Sequence, residues 1–299
     1  LHRGAVIVAR RPEALALVEA FLQTEMAEGC VLLSPADLAR RQPQLDTANV
    51  AGGLWSPHEI RVESTDAIPR LAAYLARRGV TFQRDTVVRA AAPPAIETSR
   101  GAIRAAKAII CPGDDLATLF PDRIAAHNVT RCRLQMMRLA DPGFRLQAPV
   151  TSDLTLGRYS GFAALPEAAA LRRRLMAEEK PALDNGVHLI VVQSADGSLV
   201  VGDSHHYAPM PDPFAPDAVD EIILAEYGKV FKGPRPKVIA RWTGTYASAA
   251  QGLLVDAPAA DVRLVINTGG NGASTSFAVA EEVVADLFGA TIEDVRRTA

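Results

Sequence analysis

The sequence predicts an α/β fold with a sizeable antiparallel component, and three observations carry this. Strand-like apolar runs at 4–9 and 262–267 each lead into a stretch of helical periodicity. Short β-rich runs separated by turn residues crowd positions 80–111. Between the apolar runs 187–193 and 199–202 stands Ala195-Asp196-Gly197, a hairpin signal because Asp-Gly tolerates the positive φ of a tight turn.

The elements follow in chain order. A helix is predicted over 12–29, with Pro12 at its start, Leu15, Val18 and Leu22 at helical spacing and Gly29 as its end. A second is predicted over 64–79 with Ile68, Leu71 and Leu75 on one face, its secure start delayed by Pro69. Runs at 80–90, 95–98, 102–104 and 107–111, broken by Pro93-Pro94 and Ser99-Arg100-Gly101, read as an antiparallel meander. After the hairpin comes a stiff loop, 208–214, with three prolines, then a helix over 216–231. The chain closes with a buried-type strand at 262–267, a glycine turn, and a helix over 276–288 stopped by Gly289.

Bulk properties narrow the function. The 299 residues are 48% hydrophobic, enough for a substantial core and two domains. A net charge of −2 gives no reason to expect nucleic acid or an acidic membrane as partner, and Arg172 to Arg174 read as a solvated helix face. No apolar run approaches the roughly 18 residues of a membrane span. Cys30, Cys111 and Cys132 have no CxxC spacing, so neither a disulfide framework nor a zinc site is expected; a reducing, cytoplasmic compartment fits. The partner that remains is a small molecule.

The most informative stretch is Gly269, Gly270, Asn271, Gly272, Ala273, Ser274 and Thr275, between a strand and a helix. Such a turn brings backbone N–H groups and the positive end of a helix against an anionic or electron-rich ligand. Thr275 occupies the place of the third glycine in a dinucleotide fingerprint, so a pyrophosphate is not held here in the usual way. A glycine-tightened connection with no ligand stands as the other reading.

Taken in order, these features resemble the D-amino-acid oxidase-like family of FAD-dependent oxidoreductases, which includes glycine and sarcosine oxidases. The segment from Gly52-Gly53-Leu54 to Gly79-Val80-Thr81 and Thr86-Val87-Val88 is similar to the family's second βα segment, whose last positions contact adenine. The run ending Cys111-Pro112-Gly113 resembles the strand pair beside the cofactor, and Trp242-Thr-Gly244 the return to the FAD domain. In the family the terminal helix start faces the flavin pyrimidine edge, which explains the glycines without a pyrophosphate. The resemblance implies a Rossmann-like FAD-binding domain (54–133 and 241–299) and an antiparallel-sheet substrate domain with helices (1–53 and 134–240). FAD held non-covalently is the implied cofactor, since no cysteine lies near Trp242 or the glycine turn.

Departures from the pattern matter as much. The family's N-terminal βαβ unit has no counterpart in these residues; the resemblance implies roughly 70 to 80 further residues, more than the minimal unit of about 30. For the 299 residues alone, weak FAD binding and little turnover are expected. Small-amino-acid oxidases carry an arginine where this chain has Tyr246, and a tyrosine cannot make a bidentate pair with a carboxylate. Leu134-Gln-Met-Met137, Thr155-Leu-Gly-Arg-Tyr159 and Gly202-Asp-Ser-His-His-Tyr207 resemble a phosphonate-associated subgroup, implying an aminophosphonate or its N-methyl derivative as the amine oxidised. A glycine- or sarcosine-type oxidase and a non-catalytic remnant are the alternatives.

On the substrate side, Asp203, His205 and Tyr207 would share a strand face while His206 points away. A substrate or proton-handling role, structural packing against the proline loop, and a metal reading of Asp-x-His are all open. The metal reading lacks a third ligand, so no metal is expected. Arg158 and Arg61 are candidates for positive charge beside a phosphonate. His205, Tyr207, Tyr246 and Arg158 thus form the expected catalytic set.

Overall fold

The computed structural model describes residues 2–298. They divide into two compact units. The first comprises Leu1–Leu75, Leu134–His206 and Asp212–Gly244; the second comprises Ala76–Arg133, Tyr207–Pro211 and Thr245–Ala299.

The first unit is built on a mixed sheet. His2–Ala9 pairs antiparallel with Gly52–Arg61, which pairs with Val31–Leu33 on its other side. Across the sheet His2–Ala9 runs parallel to Val150–Ser152, followed by Ile190–Gln193, Leu199–Gly202 and the strand Thr130–Leu139. The predicted hairpin is present, with Gly197 at φ +91° as its turn requires. Helices Pro12–Phe21 and Ala168–Glu178 pack on one another, and Asp217–Val230 contributes to the same core. That core includes Leu17, Leu171, Leu189 and Ile223, each fully buried and each contributing about 1.5–3 kcal/mol of transfer free energy.

Beneath these helices lies a buried ionic hub. Arg11 directs Nη1 at both Asp153 oxygens (2.9 and 3.0 Å), Nη2 at Glu179 (2.6 Å) and Nε at Glu178 (2.8 Å). Lys229 adds contacts to Glu179 (2.5 Å) and Glu226 (3.0 Å). Asp153 is fully buried; desolvation raises its pKa, and the Arg11 charge opposes that rise.

The second unit holds two small sheets. Leu253–Ala259 and Val262–Asn267 are antiparallel, and Ala108–Ile110 joins Val262–Asn267 in parallel. The helix Gly272–Phe288 packs against this sheet. Gly289 ends the helix in the left-handed conformation, and Lys107 Nζ donates to the Leu287 carbonyl (2.6 Å), placing a cation at the negative end of the helix. Val88–Ala92, Ala95–Thr98 and Gly101–Arg104 form a separate antiparallel meander.

Several expectations need correction. The first helix stops at Phe21 rather than near Gly29, where the Thr24 hydroxyl takes the Phe21 carbonyl (2.8 Å) and a short 3-10 turn, Glu25–Ala27, follows. Helix Ser64–Arg77 begins at Ser64 despite Pro69, whose fixed φ suits a helix and removes a single backbone donor. No residue of that helix is buried, so the Ile68–Leu71 face lacks a covering layer among the described residues. The run from Val80 becomes strand only at Val88, and Ala108–Ile110 leaves the meander for the parallel pairing. The helix expected from Ser276 starts four residues earlier, at Gly272, and a further helix, Ile292–Thr298, follows it.

Replacing Arg11 by methionine should destabilise the protein by about 3–5 kcal/mol, because Asp153 is left as an uncompensated buried charge. A carboxyl whose folded pKa is raised contributes stability that is present at low pH and lost as pH rises through that pKa. The deficit of Arg11→Met, read by urea unfolding, should therefore shrink from about pH 8 to about pH 5. A deficit independent of pH would contradict the assignment to Asp153.

Candidate functional site

The glycine turn is shaped by close approach. Gly270 has φ +72°, and a Cβ there would lie 3.0 Å from the Tyr246 ring. At Gly269 a Cβ would lie 3.0 Å from Asn271 Oδ1, and at Gly272 3.3 Å from Asn267 Cβ. Asn267 Nδ2 donates to Asn271 Oδ1 (2.9 Å), and the Thr268 amide donates to the Gly252 carbonyl (2.8 Å), pinning both sides of the turn. Ala273, Ser274 and Thr275 form the first helical turn, with the Ser274 and Thr275 amides donating to the Asn271 carbonyl (3.0 and 3.2 Å). The Asn271 side chain does not cap the helix.

Beside the turn is a cavity of about 260 Å³, lined by Cys111, Asn267, Gly272 and Thr275 with apolar Val265 and Val279. The structure thus brings Cys111 to the same cavity as the glycine turn. Pro112 and Gly113 follow Cys111 in a turn, Gly113 at φ +65°. Thr86, Val87 and Val88 do not line this cavity. Val87 is exposed, its amide donates to Ser99 Oγ (3.0 Å), and Thr86 Oγ1 donates to the Arg84 carbonyl (2.9 Å).

In the first unit, Asp203 and His205 do come to one side, but not as strand neighbours: the strand is confined to His206–Ala208. The turn at Asn185-Gly186 positions both histidines. His205 Nδ1 donates to the Gly186 carbonyl (2.8 Å), and His206 Nε2 contacts Asn185 Oδ1 (3.1 Å). His205 Nε2 then lies 3.7 Å from Asp203 Oδ2. Sequence reasoning missed His188, whose Nε2 lies 3.3 Å from Asp203 Oδ1 and whose ring stacks on His205 with centroids 4.8 Å apart. The one available signal was its place in the apolar run 187–193, just ahead of the strand Ile190–Gln193. Tyr207 is 53% exposed.

Burial controls the charge of this cluster. It depresses His188 well below the ordinary range, helped by His205 and Arg158, and brings His205 down to about 4, with Arg158 adding to the effect. It raises Asp203 to about 7 against the opposing charge of Arg158. Both rings are consequently neutral at pH 7, available as acceptors or ligands. His188, Arg158, Arg172 and Gly186 line a cavity of about 460 Å³ whose wall includes Leu175, Met176 and Leu183. Arg172, expected on a solvated face, is exposed yet borders this space. Arg61 is committed elsewhere, pairing with Glu63 (2.7 Å) and donating to Ser194 Oγ (3.2 Å).

Residues 1–287 match the family described as DAO, FAD dependent oxidoreductase. The chain belongs to that family. Its fold is similar to glycine oxidase from Geobacillus kaustophilus (TM-score 0.72, 16% identity, covering 97% of this chain and 72% of that one). It is also similar to L-proline dehydrogenase from P. horikoshii (TM-score 0.69, 14% identity, 95% and 72% covered). A third relative in fold is the FAD-bound L-alpha-glycerophosphate oxidase from Mycoplasma pneumoniae (TM-score 0.68, 16% identity, 95% and 72% covered). A comparison with curated protein sequences finds no match. The family is FAD-dependent, and the glycine turn suits a flavin edge: its backbone is bare where any Cβ would intrude, and it opens a 17-residue helix at its positive end. Among the described residues, no helix is long and apolar enough to cross a membrane.

Two glycines separate backbone strain from close packing. Gly289→Ala meets open space and should cost about 1–2 kcal/mol from its positive φ alone. Gly270→Ala adds a collision with Tyr246 and should cost more, as read by urea unfolding. Equal costs would show that Tyr246 does not press on the turn.

Proposed function

We propose that the protein oxidises the C–N bond of an anionic amine, an aminophosphonate or its N-methyl derivative being the favoured substrate. FAD, when bound, supplies the hydride acceptor. The observation that carries the cofactor side is the glycine turn, closed to any Cβ by Tyr246 and Asn267 and sharing its cavity with Cys111. In this reading Gly269 to Thr275 present backbone N–H groups and a helix dipole to the flavin pyrimidine edge, where negative charge grows on reduction. Cys111, Pro112 and Gly113 contact the same ligand, and Thr86, Val87 and Val88 its adenine end.

On the substrate side, Arg158 and Arg172 support an anion at the mouth of the larger cavity, since a guanidinium pairs two-pronged with carboxylate or phosphonate oxygens. Neutral His205 is suited to accept a proton or hydrogen bond from the substrate amine, which must be unprotonated to react. The apolar wall of Leu175, Met176 and Leu183 limits water there. Tyr246 offers one hydrogen bond where an arginine would grip an α-carboxylate, which favours an anion held by other residues. Tyr207 serves as a further substrate contact in this reading.

Turnover of N-methyl-aminoethylphosphonate and sarcosine, compared side by side in FAD-loaded protein, tests the proposal. A kcat/KM at least about tenfold higher for the phosphonate is expected; a preference for sarcosine would make this a sarcosine-type oxidase instead. Arg158→Gln should raise KM for the phosphonate by roughly 10- to 100-fold, the worth of one charge-assisted pair. An unchanged KM would remove Arg158 from the site.

A further inference from the structure

We propose that His188, Asp203 and His205 bind one divalent transition-metal ion of the zinc class. One donor atom from each residue lies within 4.8 Å of the others. The carbonyl of Gly186 can only accept, so the His205 proton sits on Nδ1 and its lone pair is on Nε2, facing Asp203. An imidazole whose far N–H is held by a backbone carbonyl is the usual arrangement of a metal-bound histidine. His188 is 3% exposed, and neither of its ring nitrogens makes a hydrogen bond; the nearby Asp203 Oδ1 also lacks one. Buried His188 and the neighbouring Asp203 Oδ1 thus converge beside His205 with hydrogen-bonding atoms unsatisfied, a costly arrangement that a shared cation relieves.

The spacing suits the ion. Ligand bonds of about 2.0–2.1 Å in a tetrahedron put donor atoms about 3.3 Å apart. The His188–Asp203 separation is 3.3 Å and the His205–Asp203 separation 3.7 Å, so little movement is needed. Two imidazoles and one carboxylate select zinc or a neighbouring first-row ion over calcium or magnesium, which take oxygen sets. Three protein ligands leave a fourth position, and His188 also lines the 460 Å³ cavity. The Arg158 charge acts on all three residues and opposes a cation. An anion taken as fourth ligand from the cavity side, between metal and guanidinium, offsets that repulsion. Sequence spacing gave Asp203-x-His205 without a third donor, and His188 supplies it from the neighbouring strand region.

The site lies wholly within the first unit and its test reads bound metal rather than flavin, so the FAD assignment stands or falls separately; a bound metal takes the His205 Nε2 lone pair in place of the substrate amine. Full-length protein is equilibrated with Zn²⁺, dialysed and assayed for bound metal, then repeated with Co²⁺ to read visible d–d absorption. About one Zn²⁺ per chain should be retained, with a tetrahedral-type Co²⁺ spectrum. His188→Gln and Asp203→Asn should each abolish both signals, while His127→Gln, on an exposed histidine, should leave them intact. Circular dichroism establishes that the variants fold. Where one does not, the Co²⁺ spectrum of the wild type decides, since an octahedral or absent signal overturns the site. Retention equal to that of the His188→Gln variant, or lost in His127→Gln, overturns it too.

Discussion

The buried Arg11 hub is the constraint on which the first unit depends. Arg11 precedes the helix Pro12–Phe21, and its four directed contacts tie that helix start to Asp153, Glu178 and Glu179. Asp153 opens the short 3-10 turn that delivers Arg158, and Glu179 precedes the segment that delivers Gly186 and His188. Lys229 extends the network to the helix Asp217–Val230. A buried ion pair is weak evidence for stability by itself, because desolvation offsets the attraction. Its geometric effect is stronger: one guanidinium fixes the register of three chain segments, and two of them end in residues of the candidate substrate cavity.

The second unit is organised by close approach rather than by charge. Gly269, Gly270 and Gly272 each stand where a side chain would meet a neighbour, and Tyr246 is the neighbour at Gly270. The residue that departs from the small-amino-acid oxidase pattern is therefore also a packing partner of the glycine turn. That couples two features which the sequence presented as separate. The chain belongs to an FAD-dependent family, and the bare backbone of the turn borders a cavity that Cys111 also lines.

Much of this was legible in the residues. The hairpin at Asp196-Gly197, the terminal strand–glycine–helix and the stop at Gly289 have local causes in turn chemistry, and they occur where those causes act. Element limits were less legible, because they depend on local capping and tertiary contacts: Thr24 ends the first helix early, and Ala108–Ile110 takes a parallel partner more than 150 residues away. In the candidate site, Asp203 and His205 could be read from their spacing. His188 could not, since its meeting with them depends on the 185–186 turn and the hairpin register. Arg11 and Asp153 were invisible for the same reason: two charges in distant segments carry no local sign that they will be buried together.

The most direct test of the central claim is the visible spectrum of the purified protein supplied with FAD. A flavin spectrum that bleaches on anaerobic addition of N-methyl-aminoethylphosphonate is expected. A folded protein that retains no FAD, or whose flavin no amine reduces, would contradict it.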